Sequence, residues 1–297
     1  MKFSTYFRVI CLSWSATALL ACADAAAQSV PTIDTEDATL GSAKVSAGGD
    51  VHPMLAFDIR NGDFARGNYD DDRADLDRLP VHAQLGFAIN LSHGADGDAT
   101  SWLVVRSSNG FHAPAMGEST APRIWYESNN LAAFVFTPAK GLRTAAVYTI
   151  KASPNGVSAT THEASLSFAY DGEDAVGTLS PTFVVTMRPK GDHGVFTQAA
   201  IEPAFDLSKR EDGPKLSIPL AIGRGWGGFY GAGSGSRTYV SAGAALEQPF
   251  LLGATHWSTR LEALAVVRDD RLAALSGPSG ETGTVVPLVT WSVSMAY

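Results

Sequence analysis

Cysteine is nearly absent from this sequence of 297 residues, and the two that occur, Cys11 and Cys22, lie near the N-terminus. If the chain is cleaved after residue 27, no thiol remains, which excludes disulfides and cysteine metal sites from the mature protein. The seven histidines are scattered, without the close spacing of a transition-metal site. We therefore expect no metal and no other cofactor.

Charge is also scarce. Charged residues make up 18% of the chain, and 30 acidic residues outnumber 22 basic ones. Because no stripe of Lys and Arg is available to neutralise phosphates, the sequence excludes a nucleic-acid partner. Beyond the N-terminal segment there is no apolar run of the roughly 18 residues that a membrane-spanning helix needs. A mature chain that enters a bilayer must therefore do so with strands.

The first 27 residues have the organisation of a secretory signal peptide. Lys2 and Arg8 form the positive region, Val9 to Leu20 the apolar region, and Ala25-Ala26-Ala27 the cleavage site. The alternative is lipoprotein processing at Leu19-Leu20-Ala21-Cys22, with Cys22 as an acylated N-terminus. Both interpretations predict export from a Gram-negative cell.

A polar segment at residues 28–49, predicted to be a flexible lead, is followed by residues that alternate between apolar and polar to the end of the chain. A period of two is typical of β-strands. Two apolar sets illustrate it: Val81, Ala83, Leu85, Phe87, Ile89 and Leu91, then Val285, Pro287, Val289, Trp291, Val293, Met295 and Tyr297. We predict an all-β chain with one domain at residues 50–297.

The second face of these strands distinguishes a water-soluble sandwich from a transmembrane barrel. A sandwich exposes a face rich in Lys, Glu and Thr, whereas this one is mostly Ala, Gly, Ser, Asn and Gln. Small and polar side chains suit a crowded lumen, and aromatic residues near the strand ends match the girdles at membrane interfaces. The favoured fold is a transmembrane antiparallel up-and-down β-barrel, and a soluble β-protein is the alternative.

The alternation predicts about twelve strands, an even number as in other single-chain barrels. They are Val51 to Arg60, Val81 to Ser92, Ser101 to Ser108, Arg123 to Thr137, Leu142 to Ala152, Ser158 to Tyr170, Leu179 to Arg188, Val195 to Leu207, Lys215 to Ile222, Tyr239 to Glu247, His256 to Arg268 and Gly283 to Tyr297. With the N-terminus in the periplasm, the longest connections lie outside, as barrel topology requires.

The last strand ends in Val293-Ser294-Met295-Ala296-Tyr297. With this ending the mature chain resembles outer-membrane porins and related β-barrels of proteobacteria. The resemblance implies a location in the outer membrane, with its lipids as partners, and insertion by the barrel assembly machinery, for which Tyr297 is the recognition signal. It also implies passive diffusion of small polar solutes, and it assigns no substrate.

Strand parity predicts which charged residues point away from lipid, where a basic side chain at mid-depth would cost roughly 2 to 4 kcal/mol. They are Asp58, Arg60, Arg106, Arg143, Lys151, Glu163, Glu202, Asp206, Lys215, Arg260 and Glu262. One hypothesis is a charge ring that filters solutes in a porin-like pore. The other is a network of salt bridges that closes a structural or surface-interaction barrel without conductance.

No catalytic machinery is evident. Ser108-Asn109-Gly110 is similar to the Ser-Asn-Gly of the outer-membrane phospholipase, but Arg106 stands two residues before the serine, where that enzyme carries its histidine base. A serine without a base is not activated, and His112 is expected in a loop. A lipid hydrolase is therefore only a remote alternative.

Two further segments are interpreted as loops. The run from Gly223 to Gly231 is rich in glycine but lacks the Gly-Lys-Ser/Thr of a phosphate-binding loop. It is predicted to be a flexible extracellular connection, with an inward plug or an exposed contact surface as the alternatives. Asp70, Asp71 and Asp72, followed by Asp75 and Asp77, are predicted to form a solvated acidic loop, with a divalent cation as the alternative.

Overall fold

The computed structural model describes residues 29–46, 48–93, 99–114, 118, 120–190, 193–210, 212–277 and 280–297. The predicted signal peptide at 1–27 and the alternative lipoprotein signal lie outside these residues. None of the helices that the structure describes is long and apolar enough to cross a membrane.

Strands form most of the described chain, with one short 3-10 helix at Gly177–Leu179 and one α-helix, α1, at Asp270–Ala274. The strands are β1 (Ser29–Ile33), β2 (Leu40–Lys44), β3 (Val51–Arg60), β4 (Phe64–Ala65), β5 (Asn68–Tyr69), β6 (Val81–His93), β7 (Thr100–Phe111), β8 (Trp125–Ala139), β9 (Leu142–Ala152), β10 (Thr161–Tyr170), β11 (Thr182–Lys190), β12 (Val195–Ile201), β13 (Ala204–Asp206), β14 (Lys215–Ser217), β15 (Leu220–Trp226), β16 (Arg237–Leu252), β17 (Thr255–Arg268) and β18 (Val285–Ala296).

One antiparallel sheet closes on itself to form a barrel. Its first and last wall strands, β3 and β18, pair over Met54–Arg60 and Thr290–Ala296. Two of the fourteen strands in this sheet, β13 and β14, extend β12 and β15 beyond the wall, so that the wall has 12 strands. This confirms the predicted all-β barrel. The segment predicted as one long strand at Arg123 to Thr137 is a single strand, at Trp125–Ala139.

The outer face of the wall is apolar. In β3, exposed or half-buried Val51, Leu55, Phe57 and Ile59 alternate with inward residues such as the buried Asp58. Large exposed side chains continue around the barrel, among them Leu85, Phe87, Phe134, Leu166, Phe183 and Trp291. A continuous apolar surface of this extent is found on proteins that contact lipid. The chain therefore has an outer-membrane-type β-barrel fold.

The two ends of the barrel differ in their connections. The end that holds both described termini, called here the turn end, has connections at 94–99, 140–141, 171–181, 207–214 and 253–254. The opposite loop end holds the three longest connections, 61–80, 112–124 and 269–284, and the first two are called here L1 and L2. This arrangement is the one expected of outer-membrane barrels.

Residues Ser29–Lys44 form an antiparallel hairpin, β1 with β2, inside the lumen. Its apolar side chains Val30, Ile33 and Leu40 are fully or almost fully buried in one cluster with wall residues such as Val104 and Val135. The segment therefore differs from the predicted flexible lead. Its few apolar residues are buried because the hairpin covers an apolar patch on the inner wall. The segment by itself does not contain these apolar partners.

The glycine-rich run also differs from prediction, because β15 continues through it to Trp226. Gly223 and Gly225 face the lumen, and a Cβ on either would meet an aromatic ring, that of Tyr239 at 2.2 Å or that of Tyr230 at 2.5 Å. Glycine is used here to let aromatic side chains approach the wall. The loop proper begins only at residue 227.

Candidate functional site

L1 folds back into the lumen at the loop end. Its two short strands, β4 and β5, pair as a hairpin, and Arg66 at the turn donates two hydrogen bonds of 2.8 Å to Glu163 of β10. Both side chains are almost fully buried. A bidentate pair of this kind fixes both distance and direction, so L1 is held firmly against the far wall.

Glu163 has further cationic neighbours. Arg188 Nε donates to it at 3.1 Å, and Lys151 Nζ lies 3.7 Å away. The Arg66 guanidinium lies 5.0 Å from the centre of the Phe196 ring and 5.2 Å from that of Phe229, distances at which a cation attracts an aromatic face. The L1 hairpin is thus fixed by one carboxylate shared among three cations and by aromatic contacts.

Two cavities lie on either side of this contact. The larger, of about 1020 Å³, lies in the lumen beside the N-terminal hairpin, and the smaller, of about 220 Å³, lies at the loop end. Arg66 lines both of them. The L1 hairpin therefore separates the lumen cavity from the loop-end pocket.

A buried polar cluster surrounds His82 of β6. Its Nδ1 lies 2.9 Å from Asp58 Oδ1, and its Nε2 lies 2.7 Å from the Tyr126 hydroxyl and 3.3 Å from Glu127 Oε2. Asp58 and His82 point inward from the paired strands β3 and β6, and Glu127 points inward from β8, which β7 separates from β6. Tyr126 joins them beside a register shift between β7 and β8. Tyr126 and Glu127 also line the loop-end pocket.

Two side chains from outside the wall complete the cluster. Glu36, at the turn of the N-terminal hairpin, is in contact with Arg60, and Asp63 of L1 lies 3.7 Å from the same guanidinium. One ligand atom from each of Glu36, Asp63, His82 and Glu127 lies within 4.8 Å of the other three. Burial raises the pKa of Asp63 well above its ordinary value, and repulsion from Glu127 adds to the increase.

A second cluster lies beneath L1 and L2. His112 Nδ1 is 2.8 Å from Asp72 Oδ2, and its Nε2 is 3.4 Å from Asp71 and 3.3 Å from Glu118. Burial raises the pKa of Asp71, although nearby His112 opposes the shift. Part of the predicted solvated acidic loop is therefore folded inward, because a histidine and Arg78 are available to its carboxylates. Asp75 and Asp77 are exposed, as predicted.

Most of the charged residues assigned to the lumen have polar partners there. Arg106, Arg143 and Lys151 donate to backbone carbonyls of the N-terminal hairpin at 2.9, 2.5 and 2.6 Å. Asp58, Arg60 and Glu163 belong to the contacts described above, and Lys215, Glu202, Arg260 and Glu262 line the lumen cavity. Asp206 differs: it lies in β13, beyond the wall, with 71% of its side chain exposed and Lys215 3.8 Å away.

Two further residues that the sequence singled out, Ser108 and Tyr297, lie in different parts of the barrel. Ser108 is buried on the inner face of β7, and within the described part of the chain its hydroxyl bonds to no histidine. Tyr297 lies at the turn end, where its backbone nitrogen donates to Pro53 and its carbonyl oxygen lies 2.8 Å from His52 Nδ1. Its role as an assembly signal stays a prediction.

The comparisons with known proteins give structural similarity only. No family model matches the chain, and no curated protein matches it. LpxR from Salmonella typhimurium matches with a TM-score of 0.42 and 11% identity, over 82% of this chain and 99% of that one. A chain from a study of the in-meso crystallization of membrane proteins matches with a TM-score of 0.43 and 9% identity, over 83% of each chain. Similarity at these levels does not identify an activity.

Proposed function

We propose that this protein is a porin-like barrel of the outer membrane through which small polar solutes pass, with the L1 hairpin as the constriction. In this proposal the chain is exported, and the barrel assembly machinery inserts it into the outer membrane. The observation that supports a solute path is the lumen cavity of about 1020 Å³, which ends at Arg66.

The lining of the lumen cavity suits hydrated solutes. Hydroxyl groups and charged residues of both signs face it, among them Arg143, Lys215, Glu247, Arg260 and Glu262. Arg260 is already paired with Glu202 at 2.7 Å, so the charges are partly balanced within the wall. Balanced charge supports passage of small polar solutes of either sign rather than strong ion selectivity.

Removal of the Arg66 side chain tests the constriction. In Arg66→Ala, Glu163 keeps Arg188 and Lys151 as partners, so the substitution leaves no unpaired carboxylate in the interior. We expect the parent barrel to give small single-channel currents in planar bilayers and the variant to give larger ones. Arg210→Ala, which removes an exposed arginine at the turn end, is the matched control and leaves the currents unchanged.

If neither the parent nor Arg66→Ala gave single-channel currents, the proposal would be contradicted. Folding of each variant is checked by its faster migration in detergent gels before boiling. Two observations favour a closed structural barrel in that event: the N-terminal hairpin is bonded to three wall cations, and L1 covers the loop end.

A further inference from the structure

Four side chains that are distant in sequence meet inside the loop-end half of the barrel. Glu36 comes from the N-terminal hairpin, Asp63 from L1, and His82 and Glu127 from neighbouring parts of the wall. One ligand atom of each lies within 4.8 Å of the others, and His82, Asp63 and Glu127 are buried. We propose that the four side chains bind one divalent transition-metal ion.

Unpartnered buried oxygens at the cluster indicate that it accommodates a ligand. Asp63 is 1% exposed, and its Oδ2 has no hydrogen-bond partner within the described part of the chain. Asn129, also 1% exposed, donates to Glu127 through Nδ2, but its Oδ1 is likewise without a partner there. A buried oxygen left without a hydrogen bond costs about 1 to 3 kcal/mol, and a bound cation removes that cost.

The charges at the cluster also favour a cation. When all four are ionised, the carboxylates of Glu36, Asp58, Asp63 and Glu127 carry four negative charges, against which Arg60 and a protonated His82 supply at most two positive charges. Buried charges in proteins are neutralised by partners or by metals. A divalent ion compensates the excess.

His82 is oriented as a metal ligand. Its Nδ1 lies 2.9 Å from Asp58, the arrangement in which a carboxylate fixes the tautomer of a ligating histidine. The opposite nitrogen, Nε2, faces Glu127 and the Tyr126 hydroxyl. When a metal binds, Nε2 exchanges the hydroxyl of Tyr126 for the ion.

The ligand set indicates the class of ion. One imidazole nitrogen with three carboxylates suits Zn²⁺ or Mn²⁺ better than Ca²⁺ or Mg²⁺, which take oxygen ligands alone. Such an ion connects the N-terminal hairpin and L1 to the wall at a single point. An effect of the metal on solute passage rests on the proposed function, whereas binding itself does not.

Zinc titration of the detergent-folded mature chain, stripped with EDTA and desalted, tests the site by calorimetry. We expect one Zn²⁺ per chain and a binding constant weakened about 100-fold or more in Asp63→Asn and in Glu127→Gln. Two controls keep the parent affinity: His162→Asn, which changes a histidine on the outer face of β10, and His112→Asn, which changes the second cluster.

Pulsed EPR of the Mn²⁺-loaded parent protein gives a test that requires no variant. Nitrogen couplings from one imidazole are expected, and Zn²⁺ displaces the manganese signal. The proposal is overturned if the parent binds no metal, if manganese shows no nitrogen coupling, if both carboxylate variants bind as tightly as the parent, or if His112→Asn alone loses the metal. None of these results depends on conductance.

Discussion

The two structures that fill this barrel are fixed in different ways. The N-terminal hairpin at the turn end buries Val30, Ile33 and Leu40 against an apolar patch of wall. The L1 hairpin at the loop end is fixed mainly by the pair of Arg66 with Glu163 and by aromatic rings. Wall cations also donate hydrogen bonds to the backbone of the N-terminal hairpin, but its side chains are held by apolar burial, whereas L1 is held by a shared buried carboxylate.

This difference has consequences for stability and movement. Apolar burial is non-directional, so small shifts of the hairpin change its free energy gradually. A bidentate ion pair is directional and buried, so displacement of L1 leaves charges without partners. The hairpin therefore tolerates small shifts within the lumen, whereas L1 does not. Three substitutions test this comparison.

Neutralisation of Glu163 should give the largest effect. Glu163→Gln leaves Arg66, Arg188 and Lys151 close together without a carboxylate, and loss of one partner of a buried pair costs about 3 to 5 kcal/mol. Urea unfolding of the detergent-folded barrel measures the loss of unfolding free energy. Limited proteolysis should show new cleavage sites in L1.

Glu173→Gln is the matched control, because it neutralises a carboxylate in an exposed pair with Lys140 at the turn end. No measurable change is expected there, since water solvates both groups. Equal effects of the two substitutions would show that the carboxylate of Glu163 does not hold L1.

The wall could be predicted from sequence because lipid outside and a crowded lumen inside impose a period of two on each strand. Val51, Leu55 and Phe57 face outward as that period requires. The N-terminal hairpin could not be predicted in this way. Val30, Ile33 and Leu40 are too irregularly spaced to indicate a strand, and their partners, such as Val104, lie far along the chain.

Most of the candidate site could not be predicted from the sequence either, because its residues lie far apart along the chain. Asp58 and Arg60 were expected in the lumen from parity, and His82 lay on the polar face of its predicted strand. Nothing in the sequence pairs them with Glu36 or Asp63, which come from the hairpin and from L1. One indication of the site was present in β8, where the alternation of the strand places Glu127 on the lumen face. A single acidic residue at a strand end is common, however, and does not indicate a site.

Truncation in the hairpin core should have the second largest effect. Ile33 is fully buried, and Ile33→Ala removes apolar contacts and leaves a cavity, at a cost of about 2 to 4 kcal/mol. Urea unfolding measures this cost. Ile59→Ala, on the outer face of β3, is the control and should cost less, because lipid replaces the lost contacts. A cost for Ile33→Ala no larger than that of the control would contradict apolar filling of the turn end.

A methyl group at Gly67 should have the smallest effect, confined to L1. The residue has a φ of +73°, and an added Cβ would lie 2.3 Å from the Tyr239 ring, so Gly67→Ala combines backbone strain with a clash. We expect about 1 to 3 kcal/mol of destabilisation in urea unfolding, with new protease cleavage in L1.

Gly253→Ala separates the two contributions, because Gly253 also has a positive φ, +64°, but nothing lies within 4 Å of its Cβ position. This control reports the cost of backbone strain alone. If both glycine variants lose the same stability, the close contact of L1 with Tyr239 contributes nothing. A larger loss for Gly67→Ala, accompanied by cleavage only in L1, shows that the L1 hairpin detaches while the N-terminal hairpin stays in the lumen.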